Sequence, residues 1–341
     1  MTTVVRGLIA AVVVVVVCAA PAAAQMYELV GTRAQGMGGA FVAVADDATA
    51  TWWNPAGLAT GATISFVYDH SDNLAPADPR PEGPAWLGGT NGFAFTTPAL
   101  GFSYYMLRMS EMQPLSSNGA VPTVRQEEGA AAIGLRTFAL NQFGATFGQS
   151  LGGNLVLGTT LKLVRAGRGL LVGPVPGIAR DLLEEAGDLE LPMETETDLD
   201  LGAMFAFSPN MRVGLSVKHI REPDLGDGET RTVLERQARV GVAVMGGGRT
   251  ASLTTALDYD ITTLDTVLGE VRHLGAGAEA WLFSRLVGVR SGVSVNTAGE
   301  GGTAWSVGGS AGSGGLFVDG FLTLGSDASR DGWGVSFRLS Y

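Results

Sequence analysis

The sequence predicts an all-β protein, a 14-stranded transmembrane antiparallel β-barrel with an N-terminal luminal hatch. Three observations lead there. The 341-residue chain is apolar and glycine-rich, with 46% hydrophobic residues and 50 glycines. After residue 24 it has no apolar run of about 18 residues, the least a spanning helix needs. Many segments instead alternate apolar and polar residues, with charges confined to one face. A closed sheet is the other structure that can pair every backbone group within hydrocarbon.

The N-terminus, MTTVVRGLIAAVVVVVVCAAPAAA, reads as a signal peptide over residues 1–24. Arg6 precedes an apolar stretch, and Ala22 and Ala24 form a small-residue cleavage pattern. Cys18 leaves with it, so no disulfide or thiolate metal site is expected. A lipid-anchor site at Cys18 is the rival reading, but Val17 occupies a position where a small residue is wanted.

The last strand, DGWGVSFRLSY, is the clearest. Trp333, Val335, Phe337, Leu339 and Tyr341 share one face, and Ser336 and Arg338 the other. In DLDLGAMFAF the outward set is Leu199, Leu201, Ala203, Phe205 and Phe207, with Asp198 and Asp200 inward. RVGLSVK repeats the pattern, with Arg212 and Lys218 inward. Strands are expected at 62–69, 91–97, 100–108, 129–150, 154–165, 196–207, 211–220, 235–245, 250–260, 272–282, 286–295, 303–311, 315–324 and 332–341. Splitting 129–150 in two would give an odd count and put the long 166–195 loop on the wrong side. Kept as one strand, it gives an even number with both ends periplasmic. Short Pro/Asn/Gly turns at 208–210 and 245–249 then alternate with long polar loops at 166–195 and 222–234, as in outer-membrane barrels. A sandwich or propeller also alternates, but its exposed face is polar. Here the face opposite the apolar one carries Lys162, Arg212, Lys218, Arg239, Asp258, Glu279, Arg290 and Asp319, so the apolar face is the outer one.

The run GTRAQGMGGAFVAVADDATATWWNPAGLA, residues 31–59, precedes the first strand and does not alternate. A phosphate-binding loop is one reading, but the run lacks the lysine of such a loop, follows no strand, and carries Asp46 and Asp47. A plug is the better reading, since a barrel of this width leaves space inside. Gly36, Gly38 and Gly39 allow close approach to the wall, the two aspartates can meet backbone amides or luminal cations, and Asn54-Pro55 fixes a turn.

The same run resembles the N-terminal signature of the FadL superfamily of outer-membrane transporters, in particular its PorV/PorQ-like branch. The matching pieces are Gly-Met-Gly-Gly-Ala-Phe at 36–41, Ala-Asp-Asp-Ala at 45–48 and Trp-Asn-Pro-Ala-Gly at 53–57. The resemblance implies a 14-stranded barrel with an N-terminal hatch over residues 25–61 and a barrel over 62–341. It further implies passive uptake of hydrophobic compounds such as long-chain fatty acids or aromatic hydrocarbons in the bacterial outer membrane, with outer-membrane lipid and hydrophobic small molecules as partners. On this resemblance Gly36, Met37, Gly38, Gly39, Asp46, Asp47, Asn54, Pro55 and Ala56 form the hatch motif. The PorV-like branch implies an alternative, a non-transporting scaffold or shuttle whose partners are type IX secretion proteins.

Other chemistry is sparse. A net charge of −11 argues against nucleic acid. His70, His219 and His273 have no metal-ligand spacing, and Asp224–Glu229 reads as a solvated turn, not a calcium loop. No nucleophile or zinc-hydrolase motif is present, so neither enzyme activity, cofactor nor metal is expected. IARDLLEEAG, residues 178–187, suggests a short amphipathic helix on the outer rim. The inward charges of both signs read first as a network holding the plug. If a fatty acid binds in the lumen, Arg212, Arg239 and Arg290 are the candidates for its carboxylate.

Overall fold

A computed structural model describes residues 30–73, 85–114, 132–174, 183, 186, 189–266, 269–299, 302–326 and 331–341. The signal peptide at 1–24, the first residues of the expected plug at 25–29 and most of 178–187 lie outside the described residues.

Fourteen strands form one closed antiparallel barrel. They are β1 Ser65–Asn73, β2 Ala85–Thr96, β3 Leu100–Pro114, β4 Ala132–Leu151, β5 Leu155–Pro174, β6 Glu194–Ser208 and β7 Met211–Lys218, then β8 Gln237–Gly247, β9 Ser252–Asp260, β10 His273–Leu282, β11 Val287–Asn296, β12 Gly302–Ser313, β13 Leu316–Gly325 and β14 Gly332–Ser340. Each pairs with its sequence neighbours, and β14 closes on β1 from Ser65↔Ser340 to Asn73↔Gly332. No helix among the described residues is long and apolar enough to cross a membrane.

The faces are inverted relative to a water-soluble sheet. On β5, Leu161 and Leu163 are 54% and 50% exposed, whereas Lys162 between them is 2% exposed. On β14, Val335 and Phe337 are exposed and Ser336 and Arg338 buried. A sandwich would show the opposite, so the outward face is built for hydrocarbon.

The strands follow the expected alternation, but several run further. β2 starts at Ala85, not at 91, β3 reaches Pro114, and β5 reaches Pro174, so much of the expected 166–195 loop is sheet. The reason lies in what covers the outer face. A side chain at Gly167 would strike Met193, and one at Gly169 would strike Leu191. The returning chain lies over this part of β5, so no outward apolar residue is required there. Arg108 of β3 holds the same returning segment by donating to the carbonyls of Ala186 and Leu189. Of the expected 178–187 helix, Leu183 and Ala186 are described, and both are buried. Two small ribbons also stand in the long loops, Asp224–Leu225 with Thr232–Val233 and Leu264–Thr266 with Gly269–Val271.

Residues 30–59 fill the lumen as two short helices, α1 Thr32–Gly36 and α2 Ala50–Trp53, followed by a 3-10 turn, Pro55–Ala59. Phe41, Val44, Trp52 and Ala56 among them are fully or almost fully buried.

Candidate functional site

The luminal segment meets the wall through backbone contact and charge. At Gly38, φ is +64° and a Cβ would lie 2.8 Å from the backbone N and O of Val293. Only glycine tolerates both that conformation and that approach. The wall reciprocates, since a side chain at Gly292 of β11 would collide with the Met37 carbonyl group and the Gly38 amide. On the opposite wall, Gly158 of β5 and Gly202 of β6 leave room for Asn54, Pro55 and Ala56. Asn54 ties this end down. Its Nδ2 donates to Val42 O (2.9 Å) and Ala203 O (3.2 Å), and its Oδ1 accepts from Ala56 N (3.1 Å).

Charge locks the other side. Arg33 of α1 donates through Nε and Nη2 to Glu279 of β10, at 2.7 and 2.5 Å, and through Nη1 to Asp46 and, at 3.1 Å, to Asp47. Glu279 accepts in turn from Arg290 Nε (2.8 Å), Arg290 Nη2 reaches Asp319 (2.8 Å), and Asp319 accepts from Arg338 Nε (3.2 Å). Acids and arginines alternate from the plug across β10, β11, β13 and β14. Burial alone would depress the Arg33 guanidinium, but Asp46, Glu279 and Asp47 hold it well above its usual range. Burial alone would raise Asp46, and Arg33 more than reverses this, leaving the carboxyl below its usual value.

Two wall aspartates act as anion caps for plug amides. Asp258 Oδ2 accepts from the Phe41 and Val42 N–H groups, each at 2.7 Å. Asp69 accepts from Gly31 N (3.1 Å), Thr32 N (2.7 Å) and the Thr32 hydroxyl. Asp69 and Arg33 carry much of this contact without having been singled out in the sequence. Trp53 donates to Val30 O (2.8 Å), and Trp52 lies under Lys218 Nζ, 3.7 Å from the ring centroid. An arginine inside the GTRAQG run was the available signal.

Of the three candidate carboxylate-binding arginines, Arg290 is engaged by Glu279 and Asp319, and Arg239 by Asp260 at 2.5 Å. Arg212 stands near the short-turn end of β7 with Nη2 2.8 Å from Met245 Sδ. They occupy different strands and do not converge.

His219, solitary in sequence, gains partners in the fold. Its Nδ1 lies 2.8 Å from Asp198 Oδ2, and the Lys162 ammonium contacts Asp198 (2.8 Å), Asp200 (2.6 Å) and His219 Nδ1 (3.2 Å). A buried cation thus already occupies the middle of the one acid/histidine group compact enough for a metal among the described residues.

Part of the remaining luminal wall is apolar. Tyr105, Leu107 and Met109 of β3, Phe138 and Leu140 of β4, and Val164 of β5 point inward and are buried, and Tyr105 meets Trp52 edge to face at 5.1 Å. The lumen therefore has an apolar patch on β3–β5, beside buried Gln142, Thr160 and Lys162, and an ionic sector on β10–β14. A cavity of about 480 Å³ opens at the short-turn end, lined in part by Arg33, Asp46, Arg285, Phe317 and Arg338.

Solved structures share this architecture. The monoaromatic hydrocarbon channel CymD is 13% identical, with TM-score 0.62 over 92% of this chain and 97% of that one. A Pseudomonas aeruginosa FadL homologue is 13% identical, with TM-score 0.57 over 93% and 99%. The fold is that of the FadL-type channels. The Ralstonia pickettii toluene transporter TbuX is a further FadL-type neighbour, at 13% identity and TM-score 0.58 over 92% and 98%. No family model matches the chain, and no curated protein matches it.

Proposed function

We propose that this FadL-type barrel is a bacterial outer-membrane channel for passive uptake of hydrophobic compounds such as long-chain fatty acids, with residues 25–61 as its hatch. It is not an enzyme, and its partners are membrane lipid and hydrophobic small molecules. The apolar patch on β3–β5 carries the reading. The patch from Met109 and Phe138 down to Trp52 offers an apolar molecule a surface, while the ionic network on β10–β14 holds the hatch. The fold neighbours titled hydrocarbon channels and toluene transporters support the same class of cargo. Gly36, Met37, Gly38 and Gly39 form the hatch face toward β10–β12, Asp46 and Asp47 hold Arg33, and Asn54, Pro55 and Ala56 fix the opposite face. Shifts of this segment gate passage. With Arg239 and Arg290 engaged by wall acids, Arg212 is the candidate luminal arginine for a fatty-acid carboxylate.

The test is uptake of labelled fatty acid and labelled toluene into liposomes that contain the purified protein. Entry faster than into empty liposomes supports the channel, and equal entry removes it. A second reading, a PorV-like non-transporting partner of type IX secretion proteins, draws on one feature, the close seating of Gly38 and Met37 on Gly292 and Val293. It predicts no uptake and a co-purifying secretion protein.

A further inference from the structure

The outward face of β5 and β6 carries a cationic group where the apolar belt ends. Leu161 and Leu163 project outward from β5, and two positions on, Arg165 projects the same way and is exposed. Its cross-strand partners are Asn141 of β4 and Thr195 of β6. Thr197, two residues along β6 on the same face, pairs with Leu163 and accepts a hydrogen bond from the guanidinium of exposed Arg221. Two arginines thus share one outward patch with Asn141, Thr195 and Thr197. Neither guanidinium has a carboxylate partner among the described residues.

Height explains why the patch is tolerable and what it faces. β5 leaves its tight turn at Leu155, so Arg165 is its eleventh residue. At about 3.3 Å per residue and a tilt of about 40°, that is roughly 25 Å up the wall, the height of a barrel's apolar band. An arginine costs little at that boundary and far more at mid-depth. Planar guanidinium forks beside hydroxyl and amide donors, just above leucines, match a phosphate carried on acyl chains.

We infer that Arg165 and Arg221 bind the phosphate of a phosphorylated lipid headgroup in the outer leaflet, with Asn141, Thr195 and Thr197 completing the site. The inference rests on the membrane reading above but not on transport. Uptake reads the lumen and lipid retention reads the outward face, so either can fail alone.

The test is native mass spectrometry of the full chain in detergent, titrated with diphosphorylated lipid A. Retention by the wild-type protein should fall about tenfold when the lipid is dephosphorylated, and about tenfold for each arginine lost in R165Q and R221Q. Because both side chains are exposed, these variants should keep the wild-type unfolding temperature. R165K/R221K should retain lipid to an intermediate degree, since the charge remains but the fork does not. Equal retention of the dephosphorylated lipid by the wild-type protein overturns the site whatever the variants do. Full displacement of the lipid by millimolar inorganic phosphate overturns the assignment to a lipid headgroup.

Discussion

Arg33 and Glu279, separated by 246 positions in the chain, form a two-point ion pair inside the barrel at 2.7 and 2.5 Å. The pair joins the plug to β10, and Glu279 is 1% exposed. Removing the arginine leaves a buried carboxylate facing only Arg290. R33M should therefore destabilise the plugged state by about 3–5 kcal/mol, as expected for a broken buried pair. Limited proteolysis should cut within residues 30–60 of R33M while the wild-type segment stays intact. R33K should fall between them, because an ammonium cannot reproduce the fork.

The glycine contacts make a separate prediction. G292V puts a branched side chain against the Met37 carbonyl group and lifts the GMGG turn off the wall. The barrel strands keep their ladder, so the protein should still fold and resist unfolding in detergent. Liposomes containing G292V should admit a small sugar several times faster than wild-type liposomes. Unchanged influx would mean that the segment finds another seat.

Alternation was legible because the outer face of a strand in hydrocarbon has no choice of polarity. DLDLGAMFAF and GWGVSFRLS follow that rule, and their faces are as expected. Legibility failed where one of the two faces changed its surroundings. The end of β5 lost its outward apolar residues because residues 191–193 cover it. Along β3 the inward face itself turns apolar at Leu107 and Met109, so period two fades although the strand continues. In the luminal segment, Gly38 and Asn54 stood out by residue type. Arg33 did not, because its partner Glu279 is distant in sequence and nothing local marks the pair. His219 was opaque for the same reason, since Asp198 and Lys162 arrive from neighbouring strands.

Acid should loosen the plug. Asp46 titrates below its ordinary value in the folded protein because Arg33 outweighs the effect of burial. A depressed carboxyl stabilises the folded form fully above the ordinary aspartate value, about 3.9, and progressively less as pH falls through the lower folded value. Proteolytic or hydrogen-exchange protection of residues 30–60 should hold from pH 7 to about pH 5 and decline below about pH 4. In D46N the acid-dependent part of this decline should shrink. Identical pH profiles for D46N and wild type would remove Asp46 from the lock.

The Lys162 cluster yields the last prediction. Its ammonium neutralises Asp198 and Asp200, both buried, and fills the space between them and His219. Ligand atoms of those three residues lie within 4.8 Å of one another. K162A removes the internal cation and leaves two carboxylates and an imidazole around an empty centre, three ligands of types that zinc accepts. The variant should unfold at lower temperature than wild type in the presence of a chelator, because two buried anions then repel. Zinc should restore much of the loss, through binding to the folded form alone. Wild-type protein should show no such zinc dependence, its site being filled by lysine. A K162A protein that is equally unstable with and without zinc would show that the three ligands cannot close on a metal once the lysine is gone.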